Sequence, residues 1–333
     1  MNSKEIVERA IAFQEVPRVP VSLLDGHAWI GVQNGLSPEE MGMMDDAQAV
    51  DVLLRAYDEV GSDMVFTSAG HYMALHDVIV AACGGADPAA PGADMVDDVL
   101  ALDPARLNEA LDGHPAVASQ RRRIELMHER VGDEKPIMAF STAPLTTASM
   151  LIGMEGLMEA IVEGPEVVEQ VVSLGMELSA HIVDDQMAHG ATAITMADPV
   201  SSSAVISEDA FLSLSLPALK KACAGWRRYE CPVMLHICGD STARLRDLCE
   251  LDIDIFSLDG GNLAEELEIA RGHYAVFGNL STVDVMMNAT PNEVAARAAA
   301  LREIAGLGGG FILAPGCDLP PATPRENVLA LTA

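Results

Sequence analysis

The sequence predicts an α/β fold, a (β/α)8 TIM barrel formed by a single domain over residues 1–333. Eight short apolar runs alternate with helix-like patterns along the chain, which is the arrangement of strands and helices in such a barrel. Most of these runs are continuous rather than alternating, as expected for parallel strands covered on both faces. Half of the residues are apolar, so the chain can bury a sizeable core.

The eight predicted strands are separated by predicted helices. In chain order the strands are Arg18–Leu23, Asp63–Thr67, Pro136–Ser141, Thr192–Ala197, Pro232–His236, Asp254–Leu258, Tyr274–Gly278 and Gly310–Leu313. Helix starts are also legible, because Ser37 and Glu40 predict a capping box with Pro38 at the first helical position. Pro291 and Pro324 indicate similar starts for two later helices.

Two stretches depart from simple alternation of strand and helix. Residues 74–116 are rich in Gly, Pro, Asp and Ala and predict a cap-like insertion after the second strand. The longest uncharged stretch, Pro136–Glu155, contains two prolines and five hydroxyl residues and is interpreted as strand plus loop, so no membrane span is expected. The N-terminus opens into a helix pattern without a signal peptide, which predicts a cytoplasmic protein.

Charge and cysteine content restrict the function. Fifty acidic against twenty basic residues give a formal charge of −30, which argues against nucleic acid and against anionic membrane surfaces as partners. Two interpretations of this charge stay open, a solvated acidic shell and the steering of a partner that has a basic face. Six cysteines in a long chain without an export signal indicate a reducing cytosol rather than a disulfide framework.

Two distant segments carry the residues most suited to chemistry. His236 and Cys238 lie two apart at the end of the fifth predicted strand, so they face the same side, and Cys317 follows the eighth strand. One imidazole and two thiols suit Zn²⁺, and three protein ligands leave one coordination position open. The spacing alone also fits two unrelated buried thiols and a core histidine. The glycine beside each cysteine and the shared position at strand ends favour the metal.

Further polar residues lie at or just beyond predicted strand ends, the face on which barrel active sites form. The substrate-binding candidates are His27, His71, Ser141 and Asn279, and the catalytic candidates are Asp198 and Asp259. Asp259 is a candidate for a fourth, exchangeable zinc ligand or for a partner of the ligands. A helix cap or turn residue before two glycines is the alternative interpretation of Asp259. The other cysteines are interpreted as packing or surface thiols.

The chain resembles the uroporphyrinogen decarboxylase superfamily, and within it the zinc methyltransferases that act on methylated corrinoid proteins. The resemblance runs nearly end to end and is carried by Arg18-Val19-Pro20-Val21, Ser141-Thr142-Ala143-Pro144-Leu145, Ala197-Asp198-Pro199, His236-Ile237-Cys238-Gly239-Asp240, Gly278-Asn279-Leu280 and Ala314-Pro315-Gly316-Cys317-Asp318-Leu319-Pro320. It implies that His236, Cys238 and Cys317 are zinc ligands. It also implies a corrinoid (methylcobalamin) carried by a partner protein. The decarboxylases have an arginine in the loop after the first strand, and residues 24–29 here contain none.

The expected function is therefore zinc-dependent methyl transfer between a corrinoid protein and a small molecule, most simply from methyl-Co(III) to a thiol activated on zinc. Three alternatives stay open: demethylation of a methylated donor onto Co(I) corrinoid, a decarboxylase-like lyase, and a non-catalytic zinc scaffold with four protein ligands. The expected partners are a corrinoid protein and a small methyl acceptor or donor, without nucleic acid or membrane.

Overall fold

The computed structural model describes residues 1–67, 70–87 and 96–333. Seven parallel strands form one sheet in which each strand pairs with the next along the chain. The strands are β1 (Val65–Phe66), β2 (Ile137–Thr142), β3 (Ala193–Ala197), β4 (Val233–Ile237), β5 (Ile255–Leu258), β6 (Ala275–Leu280) and β7 (Phe311–Pro315). Seven of the eight predicted strands are thus confirmed with small shifts at their ends, and the order is that of a TIM-type barrel.

The first predicted strand, Arg18–Leu23, is wrong as a strand. It makes a single parallel bridge, between Val21 and Leu313. The chain cannot form a regular ladder here because Pro20 has no N–H, and because the Val21 N–H donates to the Asp63 carboxylate at 2.9 Å instead of to a strand carbonyl. The Val21 carbonyl accepts from the Asp63 N–H at 2.7 Å, and the Leu313 N–H donates to the Pro20 carbonyl at 2.9 Å. This irregular segment therefore hydrogen-bonds both edges of the curled seven-stranded sheet.

Helices precede, connect and follow the strands. Before β3 lie α1 (Ser3–Ile11), α2 (His27–Gln33), α3 (Pro38–Met43), α4 (Asp46–Val60), α5 (Gly70–Ala82), α6 (Val96–Leu100), α7 (Pro104–Asp112), α8 (Pro115–Val131), α9 (Pro144–Glu163) and α10 (Pro165–Ala188). After β3 lie α11 (Glu208–Ala210), α12 (Leu216–Trp226), α13 (Leu245–Leu248), α14 (Leu263–Ala270), α15 (Pro291–Ala305) and α16 (Arg325–Leu329). Two π-helical turns, Phe211–Ser215 and Thr282–Met287, follow β3 and β6.

The stretch Pro136–Glu155, predicted as strand plus loop, is instead β2 followed by the first half of α9. The expectation failed because Pro144 occupies the first helical position, where its missing N–H costs nothing. By length and composition, Pro144–Val162 is apolar enough to cross a membrane, with a mean hydropathy of 1.3. Half of this segment is buried inside the fold, and core helices meet the same criterion. The hydroxyl of Thr147 in its first turns bonds Ser179 of α10, so the helix belongs to the packed domain.

Helix starts follow the predicted chemistry. The capping box of Ser37 and Glu40 is present at α3, and Thr290 and Glu293 form another at α15. The predicted insertion, residues 74–116, falls within the connection from β1 to β2, where α5 to α8 lie. Residues 88–95 of that stretch are outside the described residues. Its role as a cap stays a prediction.

Arginine–aspartate pairs lie at the amino ends of the strands. Arg18 binds Asp63, just before β1, through two hydrogen bonds of 2.6 Å. Arg227 binds Asp254, just before β5, at 2.7 Å, and the same carboxylate accepts the Val233 N–H at the start of β4. Through charge-assisted hydrogen bonds, Asp63 joins the irregular segment to the start of β1, and Asp254 joins the starts of β4 and β5.

Candidate metal centre

His236, Cys238 and Cys317 converge at the carboxyl ends of β4 and β7. The His236 Nε2 lies 3.1 Å from the Cys238 Sγ and 3.5 Å from the Cys317 Sγ, and the two sulfurs are 3.9 Å apart. A tetrahedral zinc ion, with Zn–S of about 2.3 Å and Zn–N of about 2.0 Å, separates its ligand atoms by about 3.5–3.8 Å. The donor set and its spacing therefore fit a single zinc ion.

Glycines allow the two cysteine-bearing loops to approach each other. Gly239, directly after Cys238, has φ of +74°, a left-handed conformation that turns the chain away from β4. A Cβ on Gly316 would lie 2.8 Å from the backbone of Asp259, so only glycine lets the end of β7 pack against the loop after β5. The glycines beside the cysteines were the signal noted in the sequence, and each has a steric reason here.

The two thiols are coupled without a metal. The hydrogen bond between the sulfurs lowers the pKa of Cys238. The same hydrogen bond, followed by burial, raises the pKa of Cys317. Cys238 therefore loses its proton more readily than Cys317, and binding of a metal cation by both sulfurs requires both protons to leave.

Ser257, which was not selected from the sequence, fixes the ring of His236 on the side away from the cysteines. The His236 Nδ1 lies 2.9 Å from the Ser257 Oγ, and both residues are buried. Ser257 is the only hydroxyl in β5, whose other residues are Ile255, Phe256 and Leu258. A lone polar residue in a buried strand was the available signal.

Asp259 lies beside the three ligand residues but outside the group of converging ligand atoms. Its Oδ2 accepts the Gly239 N–H at 2.9 Å, so the carboxylate holds the turn that follows Cys238. The residue is half-buried. The role of exchangeable ligand is not tested by this arrangement and stays a prediction.

Asp198, at the end of β3, is completely buried. Its carboxylate accepts hydrogen bonds from the hydroxyls of Thr146 at 2.7 Å, Ser201 at 2.5 Å and Ser215 at 3.4 Å. Its backbone N–H donates to the His236 carbonyl at 2.7 Å. Burial raises the pKa of Asp198, and the three hydroxyls offset part of that effect. The residue thus supports the strand that carries His236.

His27 borders an acidic pair next to the cysteines. Its Nδ1 lies 3.2 Å from the Asp25 Oδ1. Burial lowers the pKa of His27 to about 4, so the ring is neutral near pH 7. Asp318 follows Cys317 and accepts the Gly26 N–H at 2.9 Å. Burial raises the pKa of both Asp25 and Asp318, and the charge of Asp25 adds to the effect on Asp318.

His71 and Ser141 have partners away from the three ligand residues. His71 is buried, with its Nδ1 2.7 Å from the Gln120 side chain and its Nε2 2.9 Å from the Asp185 carboxylate. These contacts join α5, α8 and α10. The Ser141 Oγ is also buried and donates to the Thr142 carbonyl at 3.3 Å. The structure gives neither side chain a contact with His236, Cys238 or Cys317, and their substrate-binding role stays a prediction.

Asn279 contacts a buried carboxyl that the sequence did not reveal. Its Nδ2 donates to the Gly261 carbonyl and to the Glu266 Oε2, each at 3.2 Å. Glu266 is 2 % exposed, and its Oε1 has no hydrogen-bond partner. Burial raises the pKa of Glu266 to about 7. Asn279 therefore stabilises, through these hydrogen bonds, the loop after β5, next to the candidate metal centre.

Known proteins resemble this chain over most or all of its length. A methylcobamide:CoM methyltransferase of Methanosarcina barkeri is 31 % identical over 234 residues, which are 67 % of each chain. A methylated-thiol–coenzyme M methyltransferase of Methanosarcina mazei is 30 % identical over 207 residues, 62 % of this chain and 54 % of that protein. A solved methyltransferase structure from Methanosarcina mazei covers 100 % of this chain and 97 % of its own, with a TM-score of 0.76 and 22 % identity.

The uroporphyrinogen decarboxylase (URO-D) family matches residues 2–333, which is nearly the whole chain. The match agrees with the curled parallel sheet and with the position of the ligand residues at its carboxyl end. The relatives named above are methyltransferases, which indicates methyl transfer rather than the decarboxylation for which the family is named. The chain therefore belongs to the uroporphyrinogen decarboxylase family and is a methyltransferase of that family.

Proposed function

We propose that the protein transfers a methyl group from a methyl-Co(III) corrinoid, carried by a partner protein, to a small thiol acceptor at a zinc ion. The observation that carries this proposal is the convergence of His236 Nε2 with the sulfurs of Cys238 and Cys317. The relatives named above act on methylcobamide, on methylated thiols and on coenzyme M, so both the methyl donor and the sulfur acceptor have precedent in the family.

The ligand residues suit the activation of a thiol. Zinc, when bound, supplies the positive charge that removes the proton from a coordinated thiol near neutral pH. His236 is a neutral ligand, and Cys238 and Cys317 contribute two negative charges that balance the ion. A balanced charge leaves the acceptor sulfur electron-rich, which favours attack on a methyl group. His236 is buried and both cysteines are half-buried, so access is from the side of the cysteines.

Two aspartates support this geometry from different sides. Asp198 holds β4 through its backbone N–H, and its carboxylate anchors Thr146, Ser201 and Ser215. Asp259 fixes Gly239 next to Cys238, and we propose that its carboxylate also serves as the ligand that the acceptor displaces. Loss of its single bond to the Gly239 N–H is a small cost, since a net hydrogen bond is worth about 1 kcal/mol.

The charges around the centre favour an acceptor without a negative tail. Asp259 lies beside Cys238 through its bond to the Gly239 N–H, Asp318 directly follows Cys317, and Asp25 acts electrostatically on Asp318. Arg244, in the loop after β4, is buried, and its guanidinium is bound by the carbonyls of Ile206 and Ser207. Repulsion between like charges at a partly buried site is worth on the order of 1–2 kcal/mol. A neutral or cationic thiol therefore fits this centre better than an anionic one.

Metal analysis combined with methyl transfer from free methylcobalamin tests the proposal. Wild type should contain about one zinc per chain, and Cys238→Ala and Cys317→Ala should lose the metal and at least about a hundredfold of the transfer rate. Both variants should stay folded, because the barrel core does not depend on the ion. Cys231→Ala, a half-buried thiol before β4, is the matched control and should change neither quantity. Zinc retained in both ligand variants would exclude this centre.

A further inference from the structure

Ser257 has an unusual position for a hydroxyl. It lies in the middle of the buried strand β5, is fully buried, and is the parallel register partner of His236 in β4. A hydroxyl removed from water costs free energy unless it is hydrogen-bonded. Among the described residues, the Ser257 hydroxyl has one hydrogen-bond partner, the His236 Nδ1 at 2.9 Å. The interaction with His236 is therefore what makes serine tolerable at this position.

The direction of this hydrogen bond decides which nitrogen of His236 is free. A neutral imidazole carries one N–H, and the nitrogen without the proton is the one that binds a metal. When the Nδ1–H donates to the Ser257 Oγ, the Nε2 lone pair is left free. The Nε2 is the atom that faces Cys238 and Cys317, at 3.1 and 3.5 Å. The opposite tautomer would place a proton between the ring and the two sulfurs.

On the basis of the proposed function, we propose that Ser257 is a positioning residue. Its hydroxyl fixes the ring of His236 and accepts the Nδ1–H when the Nε2 binds the zinc ion. The hydroxyl accepts the Nδ1–H without adding charge, whereas a carboxylate in this place would add a negative charge to a centre that already has two thiolates. Register pairing with His236 keeps the two side chains on the same face of the sheet, so the contact does not depend on a loop.

Zinc affinity, measured by competition with a chromophoric chelator, tests this role without any activity assay. Ser257→Ala should weaken zinc binding about 10- to 100-fold, the usual cost of losing a partner that orients a ligand histidine. Ser257→Thr keeps the hydroxyl and should restore affinity to within about threefold of wild type. Thr195→Val is the matched control, because Thr195 is an equally buried strand hydroxyl in β3 whose Oγ1 has no partner in the described part of the chain. It should leave zinc affinity unchanged.

The histidine signal of the zinc-loaded wild type gives a second, independent readout. With ¹⁵N-histidine labelling, the His236 Nδ1 should carry a proton that exchanges slowly with water, since it is buried against Ser257. This measurement holds even if Ser257→Ala fails to fold. Equal zinc affinity of wild type and Ser257→Ala, or an unprotonated Nδ1, would overturn the role of Ser257 and leave the proposed function standing. A wild type that binds no zinc would instead overturn the proposed function itself.

Discussion

The two ends of the sheet use aspartate in opposite ways. At the amino ends, the carboxylates are paired with arginines, as Asp63 is with Arg18 and Asp254 is with Arg227. At the carboxyl ends, no lysine or arginine in the described ranges forms an ion pair with the aspartates, which are Asp25, Asp198, Asp259 and Asp318. Their partners are backbone N–H groups, hydroxyls and one neutral histidine.

This difference means that the carboxylates at one end of the sheet stabilise the fold, whereas those at the other end surround the candidate centre. The paired carboxylates at the amino ends form charge-assisted hydrogen bonds with the irregular segment and with β4, so they strengthen the fold. At the other end, burial raises the pKa of Asp25, Asp198 and Asp318, and the charge of Asp25 raises that of Asp318 further, so these groups weaken the fold when they are charged. Active sites commonly carry such destabilising groups. The comparison thus predicts that substitutions at the two ends will affect different measured quantities.

The largest stability effect is expected at the amino end, from Asp63→Ala. This residue is 1 % exposed and accepts bonds from Arg18, the Val21 N–H and the Ser3 hydroxyl. Its removal should lower the free energy of unfolding by about 3 kcal/mol in urea titrations, with one zinc per chain retained. Asp259→Ala at the other end removes one backbone contact and should cost about 1 kcal/mol or less. Equal losses of unfolding free energy for Asp63→Ala and Asp259→Ala would contradict the proposed difference between the two ends of the sheet.

The next effect concerns Glu266, a buried carboxyl near the carboxyl end. Its folded pKa of about 7 lies above that of an unfolded glutamate, so the stability it contributes is complete below about pH 4.5 and is lost as the pH rises through 7. Relative to wild type, Glu266→Gln should gain about 2–3 kcal/mol of unfolding free energy between pH 4.5 and pH 8. Denaturant titrations at both pH values measure this gain. A difference that does not change with pH would show that burial does not raise the pKa of Glu266.

The smallest of these effects is the selection of the acceptor by charge. The pKa values of Asp25 and Asp318 are about 7, so both carboxyls are charged at about pH 8.5. With free methylcobalamin as donor at that pH, 2-mercaptoethanesulfonate should show a KM about tenfold above that of 2-mercaptoethanol, because the sulfonate approaches uncompensated carboxylates. Cysteamine, which carries an ammonium group, should show the lowest KM of the three. Asp25→Asn and Asp318→Asn should reduce the differences in KM among the three thiols. A preference for the sulfonate would reveal a basic subsite that the described residues do not show.

Much of the fold could be predicted from the sequence because parallel barrel strands are continuous apolar runs. Seven strands were predicted for this reason, with errors of one to two residues at most ends. The segment Arg18–Leu23 was misassigned because its pattern is strand-like, whereas the contact that replaces the ladder is made by the side chain of Asp63, 42 residues from Val21. Helix α9 was missed because its hydroxyl residues, which usually disfavour helices, are hydrogen-bonded here to Ser179 on α10 and to Asp198 just after β3.

The candidate centre was partly predictable for a related reason. Residues His236, Cys238 and Cys317 lie at strand ends, and topology alone brings strand ends together. Ser257 and Glu266 were missed because their importance depends on register and burial, which only the folded chain defines. His71 and Ser141 were selected for position near strand ends, but the direction of a side chain just beyond a strand depends on the local turn, which composition does not determine.

Zinc X-ray absorption with and without a thiol acceptor tests the central claim most directly. The claim is that the acceptor sulfur enters the coordination shell formed by His236, Cys238 and Cys317. On addition of 2-mercaptoethanol or cysteamine, the sulfur count at zinc should rise from two toward three, with about one proton released per site. A shell that stays at two sulfurs with every thiol tested, while methyl transfer to that thiol proceeds, would contradict the claim.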